Sequence, residues 1–158
     1  MQHIYKPEEH WDPEIGFPAA LAIGDSWFWY LNNSMLGTLV RHPDLSADHS
    51  NVQLVGYNGA RLRDYVGDGR FADTVEHFLQ PPYAETFSAF YISGAGNDAV
   101  DVRLALHADC SGARTAADCI DDVAMDELLG DLAAAMDLLV AAIRAGTRGT
   151  VLPRPIFI

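Results

Sequence analysis

An α/β fold built on a parallel sheet, with helices over both faces, is what the sequence predicts, and three observations carry it. Short apolar runs alternate with helix-like stretches, the arrangement a parallel sheet requires because each crossover must return over one of its faces. Runs such as residues 19–23 and, Ser88 apart, 87–92 are apolar rather than alternating, which suits strands buried on both sides. Polar, glycine-bearing segments follow the runs, at the strand ends where such sheets bind ligands.

Taken in order, a lead over residues 6–18 holds Pro and Trp without periodicity. Residues 19–23 form the first strand, followed by an expected helix over about 27–41, stopped by His42-Pro43. The second strand covers 52–55, and 56–69 is a glycine-punctuated connection. Phe71, Val75, Phe78 and Leu79 then recur at helical spacing until Pro81-Pro82 ends the run. Residues 87–92 are the third strand, and 93–120 reads as a loop carrying both cysteines.

Val123, Leu128, Leu132, Ala135, Met136, Leu139 and Ile143 share a helical face. Asp121, Asp122 and Asp126 sit near that helix's start, where negative charge is favoured, and Gly146 and Gly149 end it. A fourth strand is expected from near Thr150 to Ile158, interrupted by Pro153 and Pro155.

The 158 residues suit a single domain over 1–158 with a core that needs neither disulfide nor metal. A formal charge of −12, with one lysine and nine scattered arginines, repels phosphate backbones, so nucleic acid is not expected as a partner. No apolar run approaches bilayer length, which argues against a membrane span. The first residues show no signal-peptide pattern, so the cytoplasm is the default compartment. Cys110 and Cys119 suit two free thiols or one disulfide equally, and the second case would permit secretion.

The chemistry lies in three short segments. Gly24-Asp25-Ser26-Trp27 puts a serine hydroxyl where strand turns into helix, beside backbone N–H groups that lack intrahelical partners. Tyr57-Asn58-Gly59-Ala60 offers a glycine whose backbone N–H can approach a reacting atom without a Cβ in the way. Gly94-Ala95-Gly96-Asn97-Asp98 adds a neutral amide donor that stabilises negative charge without titrating. Singly these are ordinary caps and turns. At the ends of successive strands they outweigh that reading.

Together the three segments resemble the SGNH hydrolases, the GDSL esterase/lipase family, over roughly residues 19–98. The resemblance implies a flavodoxin-like three-layer α/β/α sandwich and hydrolysis of a small ester without cofactor or metal. It assigns the nucleophile to Ser26 and the oxyanion donors to the N–H of Ser26, the N–H of Gly59 and the side chain of Asn97. Trp27 stands where the family has leucine; with Phe28, Trp29 and Tyr30 it offers either a substrate contact surface or core. Arg61 and Asp98 are further candidates for substrate contact, each with a plainer reading as loop scaffolding. Asp98 and Asp101 could hold a metal only with ligands the sequence does not supply.

The family's general base is a histidine with an aspartate three residues before it. None of His3, His10, His42, His49, His77 or His107 has that partner. The expectation is that the base belongs to a further βα unit, on a second chain or a C-terminal fragment completing the domain, without which turnover is crippled. The alternative is a non-catalytic binding or assembly module that keeps the fold. A nucleotide-binding module is disfavoured, because no Gly-x-Gly-x-x-Gly or Gly-Lys-Ser/Thr loop follows the first strand.

Overall fold

A computed structural model describes residues 3–30, 34–41, 51–146 and 154–158. Its centre is a five-stranded, all-parallel sheet in the order β1-β3-β2-β4-β5. The strands are β1 (Ile4–Tyr5), β2 (Ala20–Gly24), β3 (Val52–Gly56), β4 (Ala89–Ser93) and β5 (Ile156–Phe157). Every residue of β2, β3 and β4 is buried, which is why these strands read as unbroken apolar runs. Apart from Ser93 at the end of β4, Gln53 is the polar exception, and its amide is satisfied by the Trp11 indole at 2.8 Å and by the carbonyls of Tyr5 and Leu54.

Strand pleating sorts the core into two faces. Leu21, Ile23, Val55, Phe90 and Ile92 pack against α3 (Ala72–Phe78) and α5 (Asp122–Gly146) through Val75, Phe78, Ala135, Leu139 and Ile143. Ala20, Ala22, Val52, Leu54, Ala89 and Tyr91 pack against α1 (Ser26–Trp29) and α2 (Met35–Val40) through Phe28, Leu36 and Val40. Helices therefore cover both sides of the sheet. A one-turn α4 (Tyr83–Thr86) leads into β4.

The expected helix over 27–41 is instead two short ones. Tyr30 is extended, with ψ at 90°, and Ser34 starts the next helix by accepting the Gly37 N–H at 3.0 Å. The cause is local: four consecutive aromatics give poor helix propensity, and a serine with a free hydroxyl is a strong N-cap. The expected stop at His42-Pro43 lies outside the described residues, as does the part of the last strand from Thr150 to Pro153. Within 93–120, read as loop, two 3₁₀ turns form at Asp98–Ala105 and Ala116–Cys119, and a lone bridge pairs Leu106 with Ile120. The edge strand β1 has no counterpart in the sequence reading, since two residues are too few to show a period.

Chain order and strand order together locate the binding end. From β2 the chain goes to β3 on one side, then to β4 on the other, so its direction reverses between β2 and β4. In open parallel sheets such a reversal leaves a crevice at the strands' carboxyl ends. The register closes the argument: Gly24 pairs with both Gly56 and Ser93, so β2, β3 and β4 end in one row. The three segments that carry the chemistry emerge from that row side by side.

Candidate active site

Asp25 organises the first segment. Buried at 1% exposure, it accepts the Trp27 N–H at 3.1 Å and the Ser93 hydroxyl at 3.2 Å through one carboxylate oxygen. That ties the turn after β2 to the end of β4. Gly24 allows the close approach, because a Cβ there would lie 2.8 Å from the Ser93 carbonyl oxygen. The Gly24 carbonyl in turn accepts the Tyr57 N–H at 3.1 Å and the buried Tyr65 hydroxyl. Burial pushes the Tyr65 phenol well up, which keeps it a donor.

Ser26, immediately after Asp25, is half-buried. Neither its hydroxyl nor its backbone N–H is hydrogen-bonded to an acceptor among the described residues. The helix it opens is a single turn, so the free N–H itself, and not a helix dipole, is the useful donor.

Gly59 stands on an open turn with φ at +77°, a conformation glycine adopts without strain. Its N–H also lacks an acceptor among the described residues. The turn is held on either side of it. Ala60 N–H donates to the Tyr57 carbonyl at 3.2 Å, and the Ala60 carbonyl accepts one N–H of the Asn97 amide at 2.9 Å. The second Asn97 N–H takes no acceptor among the described residues. Serine, glycine and asparagine segments are thus bonded into one cluster, with a free donor on each.

No family model, curated protein or solved structure matches the chain. The roles of these residues therefore rest on their chemistry and placement.

The three residues expected to touch substrate fall differently. Trp27 is 62% exposed, with its indole nitrogen beside Gly96, and is free to form a contact wall. Arg61 spends both arms of its guanidinium on Asp101, at 2.5 and 3.1 Å, rather than facing the crevice. Asp98 is buried and accepts the Leu62 N–H at 3.1 Å. The plainer reading of that carboxylate, ordering the turn, describes its geometry. No group of three or more His, Cys, Asp or Glu side chains suited to a metal ion occurs among the described residues.

No described histidine is bonded to Ser26. The ring of His3 packs edge-on against Tyr5 at 4.3 Å, with Nε2 3.7 Å from Glu9. His77 lies on α3 against Phe78 and Tyr83. His10 and His107 are exposed, and the His107 N–H donates to the Cys119 carbonyl at 2.9 Å. His42 and His49 lie outside the described residues. Cys110 and Cys119 are free thiols. A hydrogen bond with Cys119, with smaller help from burial, raises the Cys110 pKa, which makes Cys110 a poor thiolate nucleophile.

Ser93 and Tyr65 are the supporting residues that sequence reasoning missed, and Asp101 was singled out only as a weak metal ligand beside Asp98. Ser93 read as the first residue of the loop after the third strand, whereas it is the last residue of β4. Asp101 lay close behind Asn97, but nothing in the sequence named Arg61, forty residues earlier, as its partner.

Proposed function

We propose that this chain carries the nucleophile and oxyanion donors of a serine ester hydrolase of the SGNH type, on a flavodoxin-like sheet. With edge strand β1 set aside, the order β3-β2-β4-β5 agrees with the beginning of the 2-1-3-4-5 doubly wound pattern. The observation that carries the activity is the set of unused donors: the N–H groups of Ser26 and Gly59 and one N–H of Asn97, on three turns bonded to one another. Unused donors on turns bonded to the serine's own turn suit an anion that exists only during reaction.

In this reading Ser26 Oγ forms a bond to the ester carbonyl carbon while its proton passes to a base. The carbonyl electron pair moves onto oxygen and is held by the three donors. Collapse of the tetrahedral species breaks the bond to the alkoxide, which leaves with the proton, and water then releases the acid by the same route. None of the described histidines is bonded to Ser26, so this reading requires a base that the described residues do not place there. Uncharged esters suit the site better than anionic ones. Arg61 and Asp101 neutralise each other, and the neighbouring cleft of about 580 Å³ is rimmed by Asp68, Glu127 and Asp131 against Arg63.

The test is labelling by a fluorophosphonate, using the protein as its natural coding sequence makes it. Wild type is expected to take one label at Ser26 and Ser26→Ala none, with esterase turnover falling by about four to six orders of magnitude. Equal labelling of the Ser26→Ala protein overturns the assignment. The lack of a described histidine at Ser26 favours one second reading, a non-catalytic binding module. A folded wild type that takes no label selects it.

A further inference from the structure

The turn bearing Gly59 and the turn bearing Asn97 are joined by three cross-links. Asn97 donates to the Ala60 carbonyl, Leu62 N–H donates to the Asp98 carboxylate, and Arg61 grips Asp101 with two N–H groups. Only the last is an ion pair. It is also set back from solvent, with side-chain exposures of 26% and 16%.

The need for such a tie is visible at Gly59. A Cβ built on it would meet nothing within 4 Å, so no side chain packs against that side of the turn. The neighbouring bonds must fix it. Asn97 needs the same help, because its amide can rotate unless one N–H is committed, and that commitment is to Ala60. A planar guanidinium bonded through two arms fixes orientation as well as distance, which a single contact does not.

We propose that Arg61 and Asp101 are a positioning pair, whose salt bridge clamps the glycine turn to the asparagine turn and sets the spacing of their donors. The inference rests on the hydrolase reading and adds to it, since neither residue touches the ester. It also accounts for an arginine beside the site that is turned away from it. Loosening the clamp lets Gly59 and Asn97 drift apart, and donors displaced by even an ångström stabilise the tetrahedral oxyanion poorly while ground-state binding changes little.

The experiment compares Arg61→Lys, Asp101→Asn and the reciprocal Arg61→Asp/Asp101→Arg protein with wild type on p-nitrophenyl butyrate and on the anionic hemisuccinate ester. Arg70→Ala is the control, because Arg70–Asp64 is an ion pair on the same connection that does not reach the asparagine turn. Thermal melting is followed for each. Both single changes are expected to lower kcat by about 10- to 100-fold on either ester, with KM within about threefold. The reciprocal protein should recover about tenfold, and Arg70→Ala should match wild type in kcat.

Unchanged kcat in the single variants overturns the proposal alone. So does a rise in KM confined to the anionic ester, which would make Arg61 a substrate contact. An equal loss in Arg70→Ala overturns it too, as general destabilisation. A wild type that neither turns over ester nor takes phosphonate removes the hydrolase reading, and the proposal with it.

Discussion

Asp25 meets two demands with unequal success. One oxygen serves both Trp27 and Ser93, while Oδ2 is buried without a hydrogen-bond partner among the described residues and faces Gly96. An unmet buried polar atom costs about 1–3 kcal/mol, so its surroundings tolerate little further crowding. A Cβ on Gly96 would lie 3.0 Å from that oxygen and 3.2 Å from the Trp27 indole nitrogen. The exposed indole can swing aside; the buried carboxylate cannot. Gly96→Ala is therefore expected to lower stability by about 1–3 kcal/mol in urea unfolding. Gly112→Ala, where a Cβ meets open space, should be neutral or slightly stabilising. Equal effects at both positions would show that Asp25 yields freely. Ser26, Gly59 and Asn97 were legible in the sequence because each occupies a turn directly after an apolar run. Their supports were not, since pairings such as Ser93 with Asp25 join residues that only the fold brings together.

Among the elements, legibility followed how strongly one period dominated. β2, β3 and β4 were plain because burial on both faces demands apolar side chains at every step, and α5 because its stripe repeats over many turns. The stretch after Ser26 misled because its aromatic run satisfies a hydrophobic count without forming a stripe, and the break at Tyr30 is a matter of local backbone preference. The connection after β3 hides a 3₁₀ turn, Leu62–Tyr65, held by Asp64. Its carboxylate accepts the Arg61 N–H at 2.8 Å and pairs with Arg70 at 2.7 Å. Partial burial is the largest single influence on Asp64 and raises its pKa, but the bonds to Arg70 and Arg61 with the nearby arginine charges together outweigh it, so the net shift is below 3.8. A carboxylate held down in the folded state contributes stability that is full above its unfolded pKa and is lost as pH falls through the lowered folded value. The stability difference between wild type and Asp64→Asn should thus be widest near neutrality and shrink below about pH 3.8, the ordinary value. Urea unfolding at several pH values checks this, and a gap independent of pH would mean that the charge of Asp64 adds nothing to the turn.

At the scale of the molecule, one sheet divides two cores that share no side chain. Leu139 on α5 belongs to the larger core and Leu36 on α2 to the smaller, and both are fully buried. Truncating a buried leucine to alanine costs about 2–5 kcal/mol from lost transfer energy and the cavity left behind. Collapse around either cavity is limited by the sheet, whose three central strands are hydrogen-bonded in register along their whole length and cannot flex toward one face without disturbing the other. Leu139→Ala and Leu36→Ala should each show a loss in that range. Combined, they should add to within about 0.5 kcal/mol, as independent sites do. Additivity would also bear on the crevice, which opens where β2 and β4 meet between these cores, because a rigid divider keeps Asp25, Ser93 and the turns beyond them aligned when either helix layer shifts. A coupling well beyond that margin would show that the sheet transmits strain from one layer to the other. The spacing of Gly59 and Asn97 would then depend on packing far below them, and the Leu139→Ala protein would lose phosphonate labelling at Ser26 even while folded.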